Sequence, residues 1–454
     1  MTTPISLPIA IGPGIDLHPG IHSTLLTSPP PGVTYLRHDA SHLFFFPPGA
    51  AFPDVYTTAH WGEFVSFPVQ TPIVHSARWP VLNAPAWVAD MDDFGYPLLG
   101  GRALFHERAW PRFRAEIGRP GGPLPNDPIR IRLIHMLRAY AHPSCRAILF
   151  GTQVGLARAA KMLTDFEAGP DGETFLRKSQ VLGPAMPPLA AARVHKKWED
   201  PSGTNVIFCG VGWQLKNGLL AVRVMAKMAA KHPTARFIYV GDTPPHYRNT
   251  EERAALPPNL RLVGQVPRSH VQTLFEGAHI LFHPSQSESF GMVLLEAAAA
   301  GLAIVCAQGR GMEHLHEIVD HRGALTVNRD VVPTLDEEQA FAAQLDTLIT
   351  DRAIARAKGL WNHARVESSL LSTTNRNAAL TAVYQNALSA PETNGLTEQQ
   401  LLHHSRVECV HMTSRQVTEA EVEFRERFAV EALGFRMDVE TRPRSPEPVS
   451  APLT

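Results

Sequence analysis

The stretch HPSQSESFGMVLLEAAAAGLAIV, residues 283–305, decides the fold. His283–Pro284 closes an apolar run, HILFHP, that reads as a strand end. Ser285–Phe290 is a polar loop, Gly291 opens a helix that runs through the alanines to Ala300, and AIV resumes a strand after Gly301. Strand, loop, helix, strand is a βαβ unit, which implies a parallel sheet. Two carboxylates, Glu288 and Glu296, flank the loop-to-helix junction.

The same grammar extends outward in both directions. Upstream come a strand NVIFCG from Asn205, a helix Gly218–Lys231, strands ARFIYVG and LRLVG, and a helix Arg268–Gly277. Downstream come the strand AIVCAQ and a long helical segment from about Glu337 to Ala390. A succession of βαβ units of this kind predicts a doubly wound domain. WEDPSGTNV is a polar, Gly/Pro-marked joint in front of it.

Before that joint, short apolar runs alternate with Pro/Gly-rich loops. Strands are expected over Ile5–Ile11, Gly32–Tyr35, His42–Phe46, Thr71–His75, Ala86–Asp90, Ala147–Phe150 and Gln180–Leu182. Helices are expected over Leu98–Ile117, Asp127–Ala141 and Gln153–Phe166. This predicts a second mainly parallel α/β domain. The expected division is therefore 1–197, 198–390, and an extension 391–454 of one or two helices ending in a disordered Pro/Ser-rich tail after Gly434.

Composition narrows the class. A chain of 454 residues is too long for a single core. Net charge of −1 with no basic domain argues against nucleic acid as a partner. Four cysteines, Cys145, Cys209, Cys306 and Cys409, lie far apart, which fits a reduced cytoplasmic protein and neither a disulfide framework nor a zinc site. The N-terminus lacks the basic start and apolar run of a signal peptide. HLFFFPPGAAF, at 42–52, is too short to span a bilayer and reads as a buried strand.

The junction at Gly291 has chemistry of its own. The first N–H groups of a helix lack intrahelical partners and carry partial positive charge, so a phosphate is held well there. Gly291 has no Cβ to keep an anion away from the backbone. Glu288 at the mouth and Glu296 one turn into the helix can accept hydrogen bonds from hydroxyls. A diphosphate joined to hydroxylated rings, which is the shape of a nucleotide sugar, satisfies both features. Two glutamates alone would be read as a helix-capping acid and a solvated surface residue.

The whole motif goes further. Pro284, Ser285, Glu288, Phe290, Gly291, Leu295, Glu296, Ala297, Ala300 and Gly301 resemble the signature of the retaining GT-B glycosyltransferases of group 1. FCGVGWQLKNG from Phe208 resembles that family's donor-phosphate loop, with Gly210 and Lys216 in place. IYVGD at 238–242 and LVGQVPRSHVQTLF from Leu262 resemble its next two units, placing Gly264 and Val266 beside the nucleotide base. The resemblance covers about residues 200–390 well and residues 1–195 weakly.

It implies a GT-B fold, two Rossmann-like domains facing a cleft. It implies transfer of a sugar, with retention, from a UDP- or GDP-sugar donor to a glycan, lipid-linked or small-molecule acceptor, without metal or other cofactor. Glu296 would hold the ribose and Glu288 the donor sugar. Lys216 and the N–H groups near Gly291, Met292 and Val293 would hold the phosphates, beside Phe290. Peripheral membrane contact and pairing of two copies through the C-terminal helices are the further partner expectations.

Two departures stand out. Val211 occupies the place of the usual loop arginine, and Asp92, between Asp90 and Asp93, occupies that of the usual cleft histidine. The alternatives are another GT-B enzyme, such as a nucleotide-sugar epimerase, or a binding protein that lost catalysis. A glycan phosphorylase would need a pyridoxal-phosphate lysine, for which there is no context. GPGIDLHPGIHSTLL, at 12–26, is read as a turn without a ligand, and His75 as a strand-end histidine facing the cleft or partly buried. In GMEHLHEIVDH the His/Glu spacing does not match a zinc helix.

Overall fold

A computed structural model describes residues 6–18, 20–46, 48–49, 62–68, 71–91, 128–248, 250–402, 406–420 and 422. The helix expected over Leu98–Ile117, the candidate Asp92 with its neighbour Asp93, and the tail beyond Gly434 lie outside these residues.

Short apolar, β-branched runs become buried parallel strands. In the second half the strands are β10 (Asn205–Gly210), β11 (Arg236–Gly241), β12 (Leu260–Gly264), β13 (Ile280–His283), β14 (Ala303–Gln308) and β15 (Ala324–Asn328). They form a sheet in the order β12-β11-β10-β13-β14-β15, with every pairing parallel. Ile280, Leu281, Phe282, Ile304 and Val305 are fully buried, as expected of strands covered on both faces. The order reverses between β10 and β13. In a doubly wound sheet such a switch point opens a crevice beyond the strand ends, where ligands bind.

The first half repeats the plan. Strands β1 (Leu7–Gly12), β2 (Val33–Arg37), β5 (Ile73–Ser76), β7 (Trp87–Met91), β8 (Cys145–Phe150) and β9 (Ser179–Val181) form a parallel sheet in the order β2-β1-β5-β7-β8-β9. Its switch point lies between β1 and β5. The protein thus has the two Rossmann-like domains of the GT-B fold. Helices Pro128–Ala141 and Gln153–Asp165 form as expected, while short helices at Ile21–Thr27, Gly169–Lys178 and Ala191–Glu199 were not legible.

Three packing features differ from the sequence reading. First, HLFFF does not join the main sheet. It forms β3 (Ser41–Phe46) in a separate sheet, ordered β16-β3-β4-β6, with β4 (Gly62–Ser66) and β6 (Val81–Leu82). Second, the extension is not helical throughout. After a short helix Glu398–Leu402 it becomes β16 (Glu408–Thr413), antiparallel to β3 with Val410 opposite Phe44. A buried His42 locks this return, 2.6 Å from Glu63 and 3.0 Å from Ser414 Oγ.

Third, the two ends of the second domain cross over. The helix Ala191–Glu199 sends Val194 and Trp198 into the core of the second domain. The helix Thr373–Ser389, placed by the sequence with the second domain, sends Leu380, Val383 and Tyr384 into the core beneath the first sheet. The helix Ala191–Glu199 carries a strong apolar stripe, whereas Thr373–Ser389 buries Arg376 and Asn377 beside its apolar residues, so periodicity did not assign it to a sheet.

Candidate functional site

The helix Met292–Ala299 follows β13 at the switch point of the second sheet. Its cap residue Gly291 has φ +95°, a conformation that costs most side chains steric energy. A Cβ there would also lie 2.8 Å from Leu315 Cδ2. No side chain caps this helix, so the N–H groups of Met292 and Val293 at its start are open to a ligand.

Glu288 and Lys216 meet at this end. Lys216 Nζ donates to Glu288 Oε1 at 2.6 Å, and His283 Nε2 donates to the same oxygen at 2.7 Å. Among the described residues Oε2 has no partner and can take a ligand hydroxyl. Burial pushes the Glu288 carboxyl up, but the His283 hydrogen bond and the Lys216 charge outweigh it and hold it far below the carboxylate range. Glu288 is therefore an anion at any physiological pH. Gly210 makes room for this lysine, since a Cβ there would stand 2.9 Å from Lys216 Cγ.

Glu296, half-buried on the face of the same helix that carries Met292, has a partner that the sequence reading missed. Arg268, just after β12, donates from Nη2 to Glu296 Oε1. Burial raises the Glu296 carboxyl above its ordinary value, with Arg268 opposing. The rim between them is tied together by Asp242, which accepts from Gly212 N at 2.7 Å and from the Gln265 amide. Gly264 ends β12 beside this pair, and Val266 packs on the domain core. The candidates Gly210, Lys216, Gly264, Val266, Glu288, Gly291, Met292, Val293 and Glu296 thus lie on strand ends, loops and the start of one helix at one end of one sheet. Val211 is 64% exposed on that rim.

Buttressing comes from residues with no local signature. Arg329 is buried, donates to the Pro284 and Ser285 carbonyls, and pairs with Glu337. It holds the loop that carries Glu288. Only its place at the end of β15, facing the loop, reveals the role.

The first domain faces this end. Phe290 packs against Gly151, where a Cβ would come within 3.1 Å of the ring. A Cβ on Gly20 would come within 3.2 Å of Met292 Cγ. Gly20, in the stretch read as a turn without a ligand, thus reaches the start of the Met292–Ala299 helix. Glu317 caps the helix Gln153–Asp165 across the domain boundary, accepting from Gln153 N and Val154 N at 2.7 Å each. Arg158 of that helix reaches back to Gly311 O and Glu313.

Opposite Phe290, the carboxylate at the cleft is Asp90, at the end of β7. His22 Nε2 lies 3.1 Å from its Oδ2. His75 Nε2 lies 3.1 Å from its Oδ1, at an angle too bent for a full hydrogen bond. His22 Nδ1 accepts the His18 N–H at 2.7 Å, so its proton sits on Nε2 and points to Asp90. His75 Nδ1 in turn meets Tyr384 OH at 2.6 Å. Burial raises the Asp90 carboxyl, and the two histidines more than reverse it, leaving it well below the ordinary range. His75 and Asp90 each stand one residue before the end of their strand, and the parallel pairing of β5 and β7 brings them together.

Among the described residues no cluster of His, Cys, Asp and Glu could hold a metal ion, and no helix is long and apolar enough to cross a membrane.

Comparison with known proteins agrees on the class for the second domain. Residues 203–351 match the family of glycosyl transferases group 1. The gpi3 subunit of a phosphatidylinositol N-acetylglucosaminyltransferase from Schizosaccharomyces pombe is 31% identical over 29% of this chain and 27% of its own length. A D-inositol 3-phosphate glycosyltransferase from Segniliparus rotundus is 30% identical over 25% of this chain and 26% of its own. The chain thus matches about a quarter of the length of these two relatives. Among solved structures, WaaG, a glycosyltransferase involved in lipopolysaccharide biosynthesis, superposes with a TM-score of 0.47 at 14% identity, covering 82% of this chain and 98% of its own.

Proposed function

We propose that this protein transfers a glycosyl group from a UDP- or GDP-sugar to an acceptor, with retention at the anomeric carbon. The observation that carries the reading is the uncapped start of the helix at Gly291, with Lys216–Glu288 and Arg268–Glu296 on its two sides. A diphosphate fits the helix N–H groups and Lys216, whose ammonium has two donors beyond the one given to Glu288. These groups stabilise charge where it develops on the leaving phosphate, and a preorganised site does this without reorganisation cost. No metal is required for that work.

Glu296 accepts the ribose hydroxyls and Glu288 Oε2 a hydroxyl of the donor sugar. The first domain presents the acceptor from the ends of β5 and β7. Two of the relatives above carry phosphatidylinositol and D-inositol 3-phosphate in their names, so a cyclic polyol or its lipid-linked form belongs in the acceptor panel. A thermal-shift panel of UDP- and GDP-sugars tests the donor. A ligand that binds only the folded state raises the melting point, and a panel that moves nothing removes the reading.

One observation favours a second reading, that of a nucleotide-sugar-binding protein without catalysis. Val211 leaves the phosphate loop without a guanidinium, and Lys216 is partly neutralised by Glu288. Binding without hydrolysis or transfer, across acceptors, would select it.

A further inference from the structure

The cavity at the switch point of the first sheet contains a cation that the donor site does not use. Its walls include Leu149, Leu182 and Leu380, Phe290 closes it toward the second domain, and Asp90 and Arg376 stand at its polar end. Asp90 is already served by His22 and His75. Arg376 is not.

Arg376 is 4% exposed. Its Nε donates to Asn377 Oδ1 at 3.0 Å, and Asn377 Nδ2 donates to Ser28 O at 2.8 Å. The guanidinium plane is therefore held from behind. Its Nη2 is buried and has no hydrogen-bond partner among the described residues. Guanidinium stays protonated in proteins, so this site cannot lower its cost by losing the charge. A dry, unpaired N–H is costly in a fold, more so on a charged group. Asp90 offsets the charge through space, but its own acceptor capacity faces the two imidazoles. A fixed, buried guanidinium that lines a cavity and keeps one N–H unmatched is suited to an oxyanion, which such a group binds with short charge-assisted hydrogen bonds.

We infer that this cavity is an anion subsite for the acceptor. Arg376 takes a phosphoryl or carboxylate group that the acceptor carries, and the leucines pack against its apolar part. The role as an acceptor subsite rests on the transfer reading above, whereas anion binding at Arg376 does not.

The test is isothermal titration of the full chain with inorganic phosphate and, separately, acetate. UDP and GDP are added first to fill the diphosphate site. At least one of the two anions binds the unmodified protein, and R376Q weakens it about tenfold or more. R376K, which keeps the charge but not the fork, falls between them. Nucleotide affinity is unchanged in both variants. Which anion binds names the group. Should R376Q not fold, as judged by circular dichroism, the comparison of R376K with the unmodified chain decides. Absence of binding by either anion, or equal affinity in all three proteins, overturns the inference. If neither nucleotide binds while anion binding still depends on Arg376, the transfer reading fails and the anion subsite stands.

Discussion

At the scale of single residues, Glu288 is the group whose chemistry is most constrained. One oxygen is saturated by Lys216 and His283 and the other is left for a ligand. Glu288→Gln keeps the shape but removes the charge that orients both donors. It is expected to lower turnover by about 100-fold, the scale seen when a preorganised polar group is removed, while nucleotide-sugar affinity changes little. Steady-state kinetics set against titration of the same variant checks this. A parallel loss of affinity and rate would mean that Glu288 only binds. Glu288→Ala is the poorer probe, since it leaves two donors unmatched in a buried place and costs about 3–5 kcal/mol of stability.

At the scale of elements, two ties make testable claims. Lys197, in the helix Ala191–Glu199, donates to Ala300 O at 2.7 Å, and its neighbour Trp198 donates to Gly301 O at 3.0 Å. Together they finish the end of the Met292–Ala299 helix. Burial lowers the Lys197 ammonium to about 7. The unfolded chain keeps this proton up to the ordinary lysine value near 10.5, so between the two values it binds more protons than the folded chain. Stability from this group therefore rises with pH from about 7 upward. Lys197→Met is expected to flatten that rise, measured as the urea midpoint at neutral and at alkaline pH. Equal slopes in the two proteins would contradict it.

The second tie is β16. Deleting residues 391–454 leaves β3, with its run of phenylalanines, as an unpaired apolar edge and removes the Ser414 partner of His42. Such edges template association. The shortened chain is expected to melt lower and to scatter light as larger species. A monodisperse product with an unchanged melting point would show that β16 is dispensable.

At the scale of the whole molecule, the sequence revealed the second domain far better than the first. Its strands are continuous apolar runs, such as ILFH and AIVCAQ, and its turns carry glycines at forced conformations, so local chemistry and global fold agree. The candidate residues legible there were those in short motifs: Glu288 to Glu296, Gly210 with Lys216, and Gly264 with Val266. Arg268 and Arg329 were missed because Glu296 and the Pro284 and Ser285 carbonyls that they hold lie 28, 45 and 44 residues away, and His283 because its type reads equally well as a strand end. In the first domain, the place of Asp90 depends on His22 and His75, which only the parallel pairing of β1, β5 and β7 brings near. The return of β16 to β3 was illegible for the same reason, since an edge strand with exposed alternate residues resembles a helix surface in composition.

The domains meet through residues from both: Glu317 and Arg158 on one side, Phe290 at Gly151, and Gly20 beside Met292. The start of the Met292–Ala299 helix therefore lies where the two domains meet. Glu317→Ala is expected to leave donor binding intact while lowering transfer relative to hydrolysis of the donor, because closure excludes water. Product analysis of the two reactions checks that, and an unchanged ratio would contradict it.

The central claim is that the start of the Met292–Ala299 helix, flanked by Glu288 and Glu296, holds a nucleoside diphosphate sugar. Its most direct test is calorimetric titration of UDP- and GDP-sugars into the unmodified chain and Glu296→Ala. Hydrogen bonds from ligand hydroxyls to a carboxylate are worth about 1.5–3 kcal/mol each, so the variant should bind at least about tenfold more weakly. Binding of one donor class to the unmodified chain, with that loss in the variant, is the predicted result. No binding of either class, or equal binding to both proteins, would contradict it.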